Sequence, residues 1–191
     1  MSLPTTPAVI AHPIVGDGYE LMERGDLGCV QIIAGGEDQA AIDSFAQFLE
    51  LVPPAVGGVS SDAAGNCLIG LSPRSWLVVC PSEHEDDIVQ KYAGAFSDGT
   101  ILASAFGDHL PWLELSGARA TLLLRRMGFL GLQGREILVD GARRQTLGHV
   151  PVVLHRLGQD LWRIGVERSR IQHLCDWLES ASANRGGWPI T

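Results

Sequence analysis

Six histidines and four cysteines are the residues best suited to chemistry in this 191-residue chain. His12, His84, His109, His149, His155 and His173 include no H-x-x-x-H or H-E-x-x-H pair, so the imidazoles do not fall on one helical turn as a zinc site needs. Cys29, Cys67, Cys80 and Cys175 include no C-x-x-C pair and lie among apolar neighbours. They read as reduced, buried thiols, because a free cysteine packs as a small hydrophobe. Asp108-His109 with Ser116 has the residue types of a nucleophile set. Ser116, however, stands where a helix cap belongs, and no nucleophile-elbow pattern surrounds it. Glu83, Glu85, Asp86 and Asp87 crowd one predicted helix start, where negative charge complements the helix dipole without any metal. There is no G-x-G-x-x-G and no P-loop; Gly128, Gly131 and Gly134 have the spacing of a connector. The residues therefore assign no catalytic, cofactor-binding or metal-binding position.

The elements that would carry these residues are clearest near the C-terminus. Val150, Val152, Val153 and Leu154 form a β-branched, apolar run, which would place His149 and His155 on one face of a strand. Gly158-Gln159-Asp160 turns the chain, and Leu161, Trp162, Ile164 and Val166 bring it back. Ser169, with Gln172 three residues on, reads as a capping box. Ile171, Leu174, Cys175 and Leu178 then mark one stripe of an amphipathic helix.

Earlier segments follow the same logic. Residues 1–26 are rich in proline and glycine and read as an extended arm. Leu27 to Ala34 is a predicted strand, and Asp38 a cap for a helix from about Gln39 to Leu51, with Ile42, Phe45, Ala46 and Leu49 inward and Pro53-Pro54 ending it. After a loop from Gly57 to Asn66 come a hairpin (Cys67 to Leu71, Trp76 to Cys80), a second capping box (Ser82, Glu85) and a helix with Ile88, Tyr92 and Ala95 buried. Strands are expected at Ile101 to Phe106 and Trp112 to Leu115, then a helix capped by Ser116 with Ala120, Leu123, Leu124 and Met127 inward. A connector from Gly128 to Gly141 leads to the final hairpin. Trp76, Trp112, Trp162 and Trp177 read as core, whereas Trp188 lies in a short tail.

Trp76 and Trp162 are 86 residues apart, and the hairpins and helices around them keep that offset. The expected architecture is α+β: two related small lobes, each close to β-α-β-β-α, of antiparallel sheet with helices packed on one face. The boundaries are an arm at 1–26, lobes at 27–107 and 108–182, and a tail at 183–191.

Hydrophobic residues make up 46% and charged ones 19%, a globular composition. Fourteen Lys+Arg against 22 Asp+Glu give a formal net charge of −8, which argues against nucleic-acid binding because no basic surface is available to neutralise phosphates. Arg143-Arg144 and Arg168-Arg170 are only local basic pairs. No secretory signal and no run long enough to span a membrane is visible, so a cytoplasmic location is expected.

Leu71-Ser-Pro-Arg-Ser-Trp76-Leu, Leu115-Ser-Gly-Ala-Arg-Ala, the segment Gln145 to Arg156, Glu167-Arg-Ser169 and Asp176-Trp-Leu178 recur in order and spacing as in a known family. In these, between about Leu27 and Ala181, the chain resembles the gamma subunit of heterotetrameric sarcosine oxidase, whose fold is related to folate-binding aminomethyltransferases. Met127-Gly128-Phe129 and the region Ala105 to His109 depart from that pattern. The resemblance implies a subunit without an active site or cofactor of its own. It implies alpha, beta and delta partners, of which alpha and beta hold FAD, FMN, NAD and the tetrahydrofolate site, in a complex that demethylates sarcosine oxidatively. Arg168, Arg170 and Trp188 are the residues expected to face those partners. Two other readings are a stand-alone folate- or one-carbon-binding aminomethyltransferase-like protein, with Asp108, Glu114 or Asp140 turned toward a pocket between the lobes, and the equivalent subunit of a related N-methyl amino-acid dehydrogenase.

Overall fold

The computed structural model of the chain describes residues 9–36, 39–49, 52–62, 65–128 and 137–183. Along its strands, alternate side chains point to opposite faces, and both faces are apolar. In chain order the elements are β1 (Ile14–Gly16), β2 (Tyr19–Glu23), β3 (Leu27–Ala34), α1 (Gln39–Leu49), β4 (Val59–Ser61), β5 (Cys67–Ser72), β6 (Ser75–Pro81), α2 (Glu85–Ala95), β7 (Ile101–Ala105), β8 (Trp112–Ser116), α3 (Ala120–Arg126), β9 (Ala142–Leu147), β10 (Val150–Arg156), β11 (Leu161–Val166) and α4 (Ile171–Ala183). Short 3₁₀ turns, Ser82–His84 and Arg168–Arg170, precede α2 and α4.

The strands form two antiparallel sheets, ordered β4-β5-β6-β3-β7 and β1-β2-β8-β11-β10-β9. Val30, Ile32, Leu68, Trp76 and Val78 pack with Phe45 of α1 and Tyr92 of α2 on one face of the first sheet. Leu21, Leu115, Val152, Leu154, Trp162 and Ile164 pack with Leu124 of α3 and Leu174 and Leu178 of α4 on one face of the second. The opposite faces meet: Cys29, Ile69, Leu77 and Val79 lie against Trp112, Ala142 and Val153. The result is a helix–sheet–sheet–helix sandwich, with each sheet covered by helices on one face as its sequence pattern required.

The 86-residue offset is structural. Trp76 and Trp162 are both 1% exposed. The indole N–H of Trp76 donates to the Pro54 carbonyl (3.0 Å), and that of Trp162 donates to Thr121 Oγ1 (3.0 Å). The 3₁₀ turns begin at residues 82 and 168 and the helices at 85 and 171, at that same separation. Strand by strand, β4-β5-β6-β3-β7 corresponds to β9-β10-β11-β8-β2.

Several local expectations are corrected. The extended arm contains two strands: β1 and β2 form a hairpin, and β2 pairs with β8 inside the second sheet. Tyr19 and Leu21, at 6% and 0% exposure, supply the apolar contacts that put it there. Ser82 and Ser169 are not helix caps. They lie within the 3₁₀ turns, whose preceding residues Pro81 and Glu167 make no side-chain cap bond. Ser116 is the last residue of β8, and α3 starts at Ala120. β4 forms within the stretch read as a loop, and β9 follows the connector, where no strand is expected before Val150. Ala95 is exposed, and Val89 and Phe96 pack in its place. Asp38, Leu51, Gly131 and Gly134 lie outside the described residues.

Candidate partner interface

Arg168 is held from several directions. It opens the 3₁₀ turn between β11 and α4, its main-chain N–H donates to the His109 carbonyl (3.0 Å), and its Nε donates to the Asp108 carbonyl (2.8 Å). Its guanidinium also lies 3.7 Å from Glu23 and 3.9 Å from Asp108. Glu23, whose side chain is 4% exposed, accepts the main-chain N–H groups of Val9 and Ile10 (2.8 and 3.0 Å). Arg168 therefore ties the N-terminal hairpin to the loop before β8. Arg170 is more exposed and pairs with Glu167 (3.3 Å). Trp188 lies outside the described residues.

A polar seam runs between the sheets. Arg24 bonds Asp26 (2.7 Å) and Glu114 (2.5 Å), and Arg163 stands 3.9 Å from Glu114. The hydrogen bond from Arg24 holds the Asp26 carboxyl below its usual range. His155 is 3% exposed, with Nδ1 4.0 Å from Cys67 Sγ, and lies directly across from Arg163 on β11. Burial, reinforced by the Arg163 charge, lowers its pKa to about 4. His149, expected on the same strand face, instead sits at φ +65° in the turn before β10. Its ring stands edge-on to Trp177, centroids 5.7 Å apart. Trp177 is 38% exposed and so belongs to the surface rather than the core.

The four thiols are free. Burial pushes Cys67 and Cys175 up to about 11, Cys80 to about 12 and Cys29 higher still. At neutral pH they remain thiols, and a thiol is a poor nucleophile. Glu85 is used structurally. Its carboxylate accepts the main-chain N–H of Cys29 and lies against Gly28 and Gly107, which have no Cβ to block it. Burial raises its pKa. Among the described residues no three His, Cys, Asp or Glu side chains gather where they could hold a metal ion.

A cleft of about 540 Å³ opens between the sheets, lined by residues that include Gln31, Leu71, Phe106, His109, Arg144, Val153 and Glu167. Asp108, Glu114 and Asp140, the carboxylates considered for a pterin pocket, are absent from its lining. Glu114 is turned to Arg24, Asp108 is 82% exposed beside Arg168, and Asp140 sits at φ +62° in the turn before β9. The carboxylate that does line the cleft, Glu167, belongs to the Glu167-Arg-Ser169 segment but is not among the residues expected at a site. The 86-residue offset makes Glu167 equivalent to Pro81, each standing just before a 3₁₀ turn, and carries no signal for a cleft carboxylate.

The pattern of the sarcosine oxidase, gamma subunit family matches residues 32–184. The sarcosine oxidase subunit gamma of Corynebacterium sp. strain U-96 is 30% identical over 130 residues, covering 68% of this chain and 62% of that protein. The subunit of strain P-1 is 29% identical over 150 residues, covering 76% of this chain and 73% of the relative. The alignment to the first thus spans a little under two thirds of that relative. Among solved structures, heterotetrameric sarcosine oxidase from Corynebacterium sp. U-96 contains a chain that matches with a TM-score of 0.75 at 23% identity, over 94% of this chain and 91% of that one. The glycine cleavage system aminomethyltransferase T of Bartonella henselae matches with a TM-score of 0.65 at 15% identity, over 87% of this chain and 47% of that one. At those identities the structures speak to the fold.

Proposed function

Because the chain belongs to the sarcosine oxidase gamma subunit family, we propose that it is a non-catalytic assembly subunit of a heterotetrameric, sarcosine-oxidase-type complex. The observation that carries the reading is the family match itself, which runs from within β3 to the end of α4 and so includes strands of both sheets. The side-chain chemistry agrees with it. The thiols are held protonated, His155 is held neutral, and Glu114 and Glu85 are engaged in internal bonds. In this reading alpha, beta and delta subunits are the partners. The alpha and beta subunits carry the FAD, FMN, NAD and tetrahydrofolate used to demethylate sarcosine, and Arg168, Arg170 and the Trp188 tail contribute to the contact. The complex is proposed to be cytoplasmic; among the described residues no helix is long and apolar enough to cross a membrane.

The test is co-expression with the flavoprotein subunits followed by size exclusion monitored at a flavin wavelength. The chain is expected in the yellow fractions, and elution away from them would refute the assignment. One observation favours a second reading, a folate- or one-carbon-binding protein in its own right: the cleft between the sheets. Its lining carboxylate, Glu167, is paired with Arg170. Calorimetric titration of the isolated chain with tetrahydrofolate separates the two, since only the second reading expects heat.

A further inference from the structure

The correspondence between the sheets leaves one position unmatched. β2 and β7 occupy equivalent places, yet the outer edge of β2 is covered by β1, while β7 ends its sheet among the described residues. Edge strands invite pairing with other chains, and proteins usually blunt them by shortening or by charge. Three of the four terminal strands here are blunted: β1 and β4 have three residues each, and β9 carries Arg143 and Arg144. β7, Ile-Leu-Ala-Ser-Ala, has five residues with neither charge nor proline.

Its free side is well defined. The Gly35 N–H donates to the Thr100 carbonyl (2.8 Å) and the Phe106 N–H donates to the Cys29 carbonyl (2.7 Å). Main-chain direction alternates along a strand, so Leu102 and Ser104 turn their N–H and C=O groups toward β3. Ile101, Ala103 and Ala105 turn theirs outward. Beside this edge Leu102 and Ile33, directly opposite each other in the register, are 55% and 41% exposed. The surroundings are acidic. Asp98 and Asp108 flank the strand, and exposed Asp86 lies on α2, which packs over β7. Asp86 is five residues from Lys91, which is turned toward Phe48 of α1. At about 100° per residue it therefore faces away from α1.

Resting on the assembly reading above, we propose that the β7 edge receives an extended segment of a partner subunit as the sixth strand of the first sheet. The segment carries apolar side chains at alternate positions, to cover Leu102 and Ile33, and lysine or arginine beside them to meet the three carboxylates. A second copy of this chain is the poorer occupant. Two β7 edges would bring the same acidic residues together on chains that each carry a formal charge of −8.

The test uses the full chain co-expressed with the flavoprotein subunits. Ala105→Pro removes an outward N–H at an exposed position without touching the β3 ladder. Leu102→Lys places a charge on the apolar patch and leaves the backbone intact, so it decides the matter if the proline variant fails to fold. Each is expected to lower the co-eluting fraction by about tenfold or more while melting near the wild-type temperature, as loss of a strand-addition contact requires. Val15→Lys, on exposed β1, should leave it unchanged. Hydrogen exchange at Ile101, Ala103 and Ala105 should slow by about tenfold or more in the complex. Wild-type co-elution with undiminished co-elution of both β7 variants overturns the inference and leaves the assembly reading standing. Failure of the wild-type chain to co-elute overturns both. A dimer of this chain that both β7 variants dissociate gives the edge to a second copy and overturns the proposed occupant.

Discussion

Replacing His155 by glutamine tests whether one neutral imidazole, sealed between the sheets, sets the acid sensitivity of the fold. The ring is 3% exposed, faces Arg163 across the β10–β11 ladder, and has Cys67 as its near neighbour. Asp140 acts in the opposite sense, by less than burial and Arg163. The folded protein takes up the proton only near pH 4, whereas an unfolded chain does so near the ordinary value of 6.5. Below 6.5 the unfolded state therefore binds the extra proton first, and stability falls with pH until about pH 4, where the loss levels off. The full gap corresponds to about 3 kcal/mol, and at pH 5 about 2 kcal/mol should already be lost. Urea unfolding at pH 7.5 and pH 5 measures this directly. His155→Gln is expected to cut the drop between those pH values by about 2 kcal/mol relative to wild type, whatever its effect on stability at pH 7.5. If both proteins lose stability equally on acidification, the neutral buried imidazole is not the sensor and the reasoning fails.

Three further outcomes follow from the packing. Gly107→Ala places a methyl group where the Glu85 carboxylate lies, so a loss of about 1–3 kcal/mol is expected in urea unfolding, while Gly94→Ala, where nothing lies within 4 Å of the added Cβ, should not destabilise. Trp162→Phe removes the bond to Thr121 and shrinks a side chain that is 1% exposed; about 1–3 kcal/mol should be lost, seen as a lower thermal midpoint. Maleimide should label the native chain slowly and Cys67 first, since it alone of the four thiols is only half-buried. Rapid labelling of Cys29 or Cys175 in native protein would contradict the packing described here.

The sequence carried the layering well because strands and helices that bury apolar faces leave a period in the residues. β3, β5, β6, β10 and β11, the α4 stripe and the Trp76/Trp162 correspondence were all visible in this way. Elements too short to establish a period were missed. β1 and β4 have three residues each, and β2 follows a proline- and glycine-rich stretch. Ser82 and Ser169 fit a capping-box spacing, but the chain enters each helix through a 3₁₀ turn, and the serines fall inside it. His149 was misplaced because its left-handed backbone conformation, rare for a residue other than glycine, moves it out of the strand and into the turn. Arg168 was expected at the surface as a partner contact. What the sequence could not reveal is that Glu23 and Asp108, 145 and 60 residues away, converge on it. Long-range pairing of charges has no local signature, whereas apolar periodicity does.

The position of β2 changes how the N-terminal segment should be interpreted. In the first sheet the place beside β3 is filled by β7, which follows α2 directly in the chain. In the second sheet the equivalent place beside β8 is filled from the other end of the polypeptide, by β2. Tyr19 Oη reaches Ser182 Oγ at the end of α4 (3.1 Å), and Arg168 reaches Glu23, so β2 is fastened to both ends of the α4 segment. Removing residues 1–26 would therefore take the fully buried Leu21 from a core and expose the β8 ladder. Loss of co-purification after such a truncation would report a damaged second sheet as readily as a lost partner contact. Point changes on the free β7 edge avoid that ambiguity, because Leu102 is already exposed and the outward amide of Ala105 bonds no neighbouring strand among the described residues.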